Sequence, residues 1–258
     1  IFPNCERCVE SFDHVIVGGG ILGASIAWHL SCKNAGSILL LERNELASAA
    51  SSRAAGLIIQ ASTKFAKTPL AKLTRDTIPL LVEELGESVG YHDVGSLRIA
   101  ASSERALELD AMTADAEKND IPYDWLDGVE AAAMAPWLDP SPILKAVFLP
   151  TDGYVDPYLL SMAYIRAAQA RGVIVRPRTE VTDVLTEGDK VVGVMTDAGQ
   201  VFCNTVIDAC GVWAAIFSER VGYPLPMAPV RSHYWMTEPN ESYGGEHPMT
   251  ILPDVSAF

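Results

Sequence analysis

The chain has 258 residues, 49% hydrophobic and 20% charged. That is enough apolar content for one large domain or two interleaved ones, and it excludes disordered and fibrous classes. A formal charge of −14 speaks against nucleic acid or an anionic membrane as a general partner. The five cysteines, Cys5, Cys8, Cys32, Cys203 and Cys210, are odd in number and scattered. They favour a reducing compartment, the cytoplasm or, in a eukaryote, the mitochondrial matrix. Cys5-x-x-Cys8 offers two ligands with no second pair, so no metal site is expected.

Residues 1–12 read as a loose leader. Asp13–Val17 is a short β-branched strand bounded by Gly18. The most apolar run, Val15–Leu30, is broken by four glycines and too short to span a membrane, so the chain reads as soluble. Ile21–Leu30 should be a helix buried on most sides, stopped by Asn34-Ala-Gly36. Ile38–Glu42 is the next strand.

The strand runs into Gly18-x-Gly20-x-x-Gly23, and Glu42 follows Gly23 by 19 positions, close to the roughly 20 expected of a ribose-binding acid. Gly18 permits the tight turn, Gly20 lets the backbone approach a pyrophosphate, and Gly23 lets helix and strand pack closely. The helix N-terminus then offers free N–H groups to phosphate. Strand, glycines, helix, second strand and acid in register make a dinucleotide-binding unit. An acid at Glu42 disfavours a 2′-phosphate. Next comes Leu46-Ala-Ser-Ala-Ala-Ser-Ser-Arg-Ala-Ala-Gly-Leu57, either a flexible linker or a small-residue backbone that lies against a ligand.

The run from the glycine fingerprint through Glu42-Arg43 to Ser51-Ser52-Arg53-Ala54-Ala55-Gly56-Leu57 resembles the FAD-dependent amine and amino-acid oxidoreductases. These are the relatives of D-amino acid oxidase, glycine oxidase, sarcosine oxidase and dimethylglycine dehydrogenase. The resemblance implies FAD contacts at Gly18, Gly20, Ile21, Leu22, Gly23, Glu42, Arg43, Ser51, Ser52, Gly56 and Leu57. Dimethylglycine-dehydrogenase-like members carry a flavin-linked histidine where this chain has Arg53, so no covalent link is expected there. Arg53 has two readings, a cation for the pyrophosphate or flavin and a surface salt bridge.

Thr68–Leu85 reads as a helix with an apolar stripe of Leu70, Leu73, Ile78, Leu81 and Leu85, kinked or divided at Pro79. Tyr91–Ala101 contains Val94-Gly-Ser-Leu-Arg98-Ile-Ala, which reads as a strand of a second region, and its Val94-Gly-Ser-Leu is similar to a family element. Ser102 or Ser103 caps a helix to about Lys118, with Glu104 in its first turn. Val129–Ala135 is a short helix stopped by Pro136. Trp125 and Trp137 read as pocket or core residues. Lys145–Leu149 is a strand. Asp156 and Pro157 start a helix to Arg171, with Gly172 as its stop. Asp152 and Asp156 are either paired carboxylates or, the better reading, a turn acid and a helix cap.

Val173–Val175, Thr179–Thr186, Lys190–Thr196 and Gln200–Asn204 form a run of short strands with tight turns at Gly188-Asp189 and Asp197-Ala-Gly199. By the resemblance, Val181 contacts adenine through its backbone. Val206-Ile-Asp-Ala-Cys-Gly-Val-Trp213 is similar to the family's second cofactor motif, which brings Ala209, Cys210, Gly211 and Trp213 to FAD. Cys210 is a redox thiol or, preferably, a small buried residue. Val230–Thr237 reads as a strand with His233 and Trp235 on one face and Tyr234 on the other. His233 and Tyr234 are the candidate catalytic residues, with a structural role for His233 as the alternative.

The expected fold is α/β. A Rossmann-like FAD domain (11–90 and 145–222) interleaves with a mixed-sheet substrate domain (91–144 and 223–258), with the family's C-terminal segment apparently missing. The resemblance implies oxidation of a C–N bond in a small amine or N-methylated amino acid. Hydride passes to flavin N5 and water hydrolyses the imine, so no strong base is demanded. Oxygen or an electron-carrier protein would reoxidise the flavin. The alternatives are a FAD-dependent hydroxy-acid or glycerol-phosphate dehydrogenase, an NAD enzyme, and a non-catalytic FAD-binding subunit of a larger complex.

Overall fold

The computed structural model describes residues 10–62, 64–231, 233–238, 247–252 and 254. Cys5, Cys8, Ala257 and Phe258 lie outside the described residues. In chain order the elements begin β1 (Glu10–Val17), α1 (Ile21–Cys32), β2 (Ile38–Leu41), β3 (Leu57–Ile58), α2 (Thr68–Leu85) and β4 (Tyr91–His92). Next come β5 (Ser96–Ala100), α3 (Ser103–Lys118), β6 (Asp124–Leu126), α4 (Gly128–Met134), β7 (Lys145–Leu149), β8 (Gly153–Val155) and α5 (Pro157–Ala170). The chain ends with β9 (Ile174–Arg176), β10 (Val181–Glu187), β11 (Lys190–Thr196), β12 (Gly199–Asp208), α6 (Ala214–Glu219) and β13 (Met249–Ile251).

Two units result, Ile1–Ala54 with Pro157–Ser232, and Ala55–Asp156 with His233–Phe258. The first holds a six-stranded sheet in the order β10-β11-β12-β1-β2-β9. Its centre is parallel: β1 pairs with β12 and β2, and β2 pairs with β9. The β10-β11-β12 part is antiparallel. Val15–Val17 of β1 and all of β2 are continuous apolar runs because both faces of the sheet are covered there. Val15, Ile16, Ile38, Leu39, Leu40 and Leu41 are all buried. Val15, Val17, Leu39 and Leu41 pack with Val194, Val201 and Phe217. Helices α1 and α5 pack together, with Ala24, Ala27, Ala163 and Ala167 fully buried. Small side chains let the two axes approach closely.

The second unit holds a four-stranded sheet, β13-β5-β7-β6, and a three-stranded one, β3-β8-β4. Alternation sorts the four-stranded sheet into two faces. Ala100, Val147 and Leu149 pack under α3 with Leu109 and Met112. Leu97, Ile99 and Ala146 pack on the other face with Ala131 of α4 and Trp137. Asp127 caps α4 with a full capping box, and Ser102 caps α3.

Several expectations need correction. Residues 55–90 and 145–156, assigned from sequence to the cofactor domain, fall in the second unit, because β3 and β4 both pair with β8 and β7 pairs with β5. The leader is shorter than read, since Glu10–Phe12 already pair with β12 and Glu10 meets Arg176 at 2.6 Å. The strand read at Val94–Ala100 begins two residues later, after Gly95 (φ 74°), and Tyr91–His92 before it form a strand of another sheet. Gln200–Asn204 and the start of the second motif are one long strand, held by β1 along most of its length. Helix α2 runs unbroken through Pro79, and Leu70 and Leu73 are exposed, because its buried face is Thr68, Thr77, Ile78 and Leu81. The described residues of 230–237 form no strand and are exposed. They find no ladder partner, and the free edge of β5 pairs with β13 instead.

Candidate functional site

The register of the parallel strands brings three chain turns side by side. Val17 pairs with Asp208 on one side and Leu41 on the other. Gly18, Glu42 and Ala209 therefore follow one another along the carboxyl edge of the sheet, where open α/β folds bind ligands. The Gly18 N–H donates to the Leu41 carbonyl (2.8 Å) and the Ala209 N–H to the Val17 carbonyl (2.9 Å), so the edge is pinned from both sides. Gly18 has φ 116°, and a Cβ there would lie 2.3 Å from the Ala209 oxygen. A Cβ on Gly23 would lie 1.9 Å from the Gly18 oxygen, so α1 can rest on the turn only with glycine at that place.

The Glu42 carboxylate holds the turn from the β2 side. One oxygen accepts the Gly19 N–H (2.8 Å) and the other the Asn44 N–H (2.9 Å). The small-residue tract then folds back. The Ala47 N–H donates to the Gly19 carbonyl (2.9 Å), and the Ser51 hydroxyl accepts the Ile21 N–H (2.9 Å) at the first turn of α1. This settles the linker alternative for Leu46–Ser52 against a flexible tether. Ser51–Arg53 form one turn of 3-10 helix. Arg53 is exposed and makes no ion pair among the described residues, so the surface salt bridge read from sequence is not formed there.

On the β12 side, the Asp208 carboxylate accepts the Cys210 N–H (2.9 Å) and shapes the motif's turn. Gly211 takes φ 58°. Trp213 lies under Arg43, whose guanidinium carbon is 4.1 Å from the ring centroid, so the residue after Glu42 meets the end of the second motif. Burial first, and then the Asp208 charge, push the Cys210 thiol up to about 12. It is a poor nucleophile, which fits the small-residue reading. Val181, at the start of β10, has its carbonyl 3.5 Å from the Arg220 guanidinium, which also donates to the Thr182 carbonyl.

These residues fit a dinucleotide on three observations. Gly20, the N-cap of α1, has no side chain to cap the helix, and the first turn carries no acid to compete with a phosphate. A Cβ on Gly20 would meet the Ser51 hydroxyl at 3.0 Å and nothing else within 4 Å, so it would fill an open cradle. The second Asp208 oxygen is buried without a hydrogen-bond partner, an acceptor that a ligand hydroxyl would satisfy. Leu22 is 58% exposed at the same helix end.

In the second unit, Ala55, Leu57, Tyr234, Trp235, Met249, Thr250 and Ile251 line an open, mostly apolar cavity of about 270 Å³. Tyr234 and Trp235 thus line it together, which corrects the expectation that they point to opposite faces of a strand. His233 is exposed and is not among the lining residues. Gly56 accepts the Val155 N–H (2.9 Å), and Leu57 pairs with Tyr154. Trp137 is packed in the core, whereas Trp125 is 38% exposed with the Lys145 ammonium over its ring. The sequence reading missed the roles of Gly19, Asp208 and Arg220. Asp208 carried a signal, as an acid at the end of an apolar strand.

Among the described residues, no helix is long and apolar enough to cross a membrane, and no cluster of three or more His, Cys, Asp or Glu side chains could hold a metal.

Fold and carboxyl-edge turn together define a dinucleotide-binding α/β protein. Residues 13–257 match the family described as FAD dependent oxidoreductase, and the chain belongs to that family. It is 37% identical over 213 residues to the 4-methylaminobutanoate oxidase (formaldehyde-forming) of Paenarthrobacter nicotinovorans, covering 83% of this chain and 26% of that protein. It is 33% identical over 239 residues to the mitochondrial dimethylglycine dehydrogenase of Rattus norvegicus, covering 91% and 27%. The L-proline dehydrogenase of P. horikoshii superposes with a TM-score of 0.77 at 26% identity, over 83% of this chain and 56% of that one. The chain thus spans about a quarter of the length of these two sequence relatives.

Proposed function

We propose that this chain is the FAD-holding part of an oxidoreductase that oxidises the C–N bond of a small amine or N-methylated amino acid. The carboxyl edge carries this reading: Gly18–Gly20, Glu42 and Ala209–Gly211 stand on three neighbouring parallel strands. Glu42, already oriented by the Gly19 and Asn44 N–H groups, would accept the ribose hydroxyls and disfavour a 2′-phosphate. The N-terminus of α1, Gly20 and Ser51 would receive the pyrophosphate. Val181 and the Arg43–Trp213 pair would meet the adenosine end. Ala209, Cys210 and Gly211 are small enough for close approach. Gly56 and Leu57 would lie along the flavin ring, and Arg53 would offer a cation to the flavin or pyrophosphate with no covalent bond.

A bound flavin would supply the two-electron acceptor for oxidation of the C–N bond. The protein's task is to orient the substrate and exclude water. Tyr234, at the apolar cavity, is proposed to meet the substrate in preference to the exposed His233. The apolar lining suits N-methyl groups. Oxygen or an electron-carrier protein would be the acceptor, a further subunit or segment would complete the enzyme, and the compartment would be cytoplasm or mitochondrial matrix.

The test is anaerobic reduction of the purified protein's flavin by sarcosine, dimethylglycine, 4-methylaminobutanoate, proline and glycine. Loss of the visible flavin band with at least one of them is expected. A bound flavin that none of these, nor a hydroxy-acid panel, reduces would overturn the catalytic reading and leave a FAD-binding subunit.

A further inference from the structure

Asp152 lies in the turn from β7 to β8, and its side chain is fully buried. An ordinary turn acid is exposed. One oxygen accepts the Gln60 backbone N–H at 3.0 Å, and the other accepts the Ser96 hydroxyl at 2.6 Å. The Arg98 guanidinium, 11% exposed, stands 3.8 Å from that second oxygen and donates to the Ala61 carbonyl at 3.2 Å. The Gln60 side-chain amide donates to the Thr151 carbonyl (2.8 Å) and hydroxyl (2.7 Å). Two opposite charges therefore hold two consecutive residues, the anion through the Gln60 N–H and the cation through the Ala61 carbonyl.

This is a costly way to fix a loop. Burial pushes the Asp152 carboxyl up and the Arg98 guanidinium down, and their mutual attraction only opposes both effects. An apolar pair of the same shape is often the more stable choice, and the best-attested use of buried charges is to specify register. What they hold is telling. β3 is two residues long and lies at the edge of its sheet, with β8 as its partner. So short a strand cannot fix its own position. Its other anchor is the segment it runs into, Gln60–Ala61.

We propose that Asp152 and Arg98 are positioning residues for the flavin: by gripping Gln60 and Ala61 they hold Gly56 and Leu57 in place against the ring. This rests on the reading that Gly56 and Leu57 touch the flavin. Asp152 and Arg98 need not contact the cofactor themselves.

The test compares the parent protein with Asp152→Ala, Asp152→Ala/Arg98→Met, Leu57→Ala and Leu109→Ala. The double variant leaves no unpaired buried charge, so it keeps the test open if Asp152→Ala fails to fold. Leu109→Ala loosens the same unit but makes none of the cluster's hydrogen bonds. Two readouts are taken on folded protein: exchange of the Gln60 amide without cofactor, and the visible band and midpoint potential of bound FAD. The Gln60 amide should exchange about tenfold faster or more in both Asp152 variants, as the loss of one buried hydrogen bond implies. Their flavin band and potential should move, as should those of Leu57→Ala, while Leu109→Ala keeps the parent's values. If Leu57→Ala moves the flavin signature and neither Asp152 variant does, or if Leu109→Ala moves it equally, the positioning role is overturned. If Leu57→Ala itself leaves the signature unchanged, the flavin reading of that strand fails, and the positioning role fails with it.

Discussion

The close fit of the glycine turn against β12 can be measured with two glycines in one unit. Gly18 has φ 116° and Gly199 has φ 127°. A side chain at either pays the strain of a left-sided backbone, about 1–3 kcal/mol. They differ in surroundings. A Cβ on Gly199 meets nothing within 4 Å, whereas a Cβ on Gly18 lies 2.3 Å from the Ala209 oxygen and 2.7 Å from its carbon. Carbon and oxygen approach no closer than about 3.3 Å without strain, so roughly 1 Å must be found. The atoms that would move belong to backbone pinned by the Ala209-to-Val17 and Gly18-to-Leu41 hydrogen bonds. Overpacking of this kind costs about 1–3 kcal/mol or more. By that overpacking scale, Gly18→Ala should lose about 1–3 kcal/mol beyond Gly199→Ala. The assay is urea unfolding without FAD, since ligand binding would add its own stabilisation, with the difference taken from midpoints at equal slope. Equal losses in the two variants would refute the argument, because the backbone term is shared and the clash is not.

Three further outcomes are expected. Glu42→Gln keeps one acceptor where Gly19 and Asn44 now use two oxygens. It should weaken FAD binding about tenfold or more, the scale of a charge-assisted hydrogen bond, while leaving FMN binding unchanged; a flavin fluorescence titration decides it. Iodoacetamide at mildly alkaline pH should modify exposed Cys32 before Cys203 and Cys210, whose thiols burial pushes up; peptide mapping that finds Cys210 first would contradict its burial. The Asp13 carboxylate is held low by the Ser37 backbone N–H and hydroxyl. Its contribution to stability is present above the ordinary aspartate pKa of about 3.9 and is lost as pH falls through the lower folded value. Asp13→Asn should flatten that acid limb in urea midpoints measured against pH, and an unchanged limb would remove the assignment.

How legible each region was in the sequence follows from the range of the forces involved. The β1–α1–β2 unit was read to within a few residues because its signals are local: β-branched runs, three spaced glycines and an acid at a fixed distance. Even Glu42 acts within this window, on Gly19 and Asn44. Val230–Thr237 misled for the complementary reason. Its bulky residues have strand propensity, but a strand exists only where another offers a ladder, and among the described residues β13 pairs with β5. Within Tyr91–Ala101 the strand after Gly95 was legible, whereas Tyr91–His92 pair in another sheet, with β8, which no local signal announces.

Asp152 shows the same limit inside a site. An acid before a glycine, Asp152-Gly153, is the usual mark of an exposed turn, and locally nothing contradicts it. Its burial depends on Gln60 and Ser96, which stand 92 and 56 positions away. One trace was present in sequence: Arg98 lies between Leu97 and Ile99, both buried. By period-two alternation Arg98 points to the opposite face from those two, and that face carries Ser96 and Ala100 and packs against the apolar α3 core. A strand with apolar residues on both faces and one arginine requires a buried anion nearby. Asp152 is the acid that supplies it, so the arginine was the readable half of the pair. If that reasoning is sound, Arg98→Met alone, which strands the Asp152 charge, should destabilise the protein more than Asp152→Ala/Arg98→Met, which removes both charges. A single variant no worse than the double would mean that Asp152 is not carrying its charge in the folded protein.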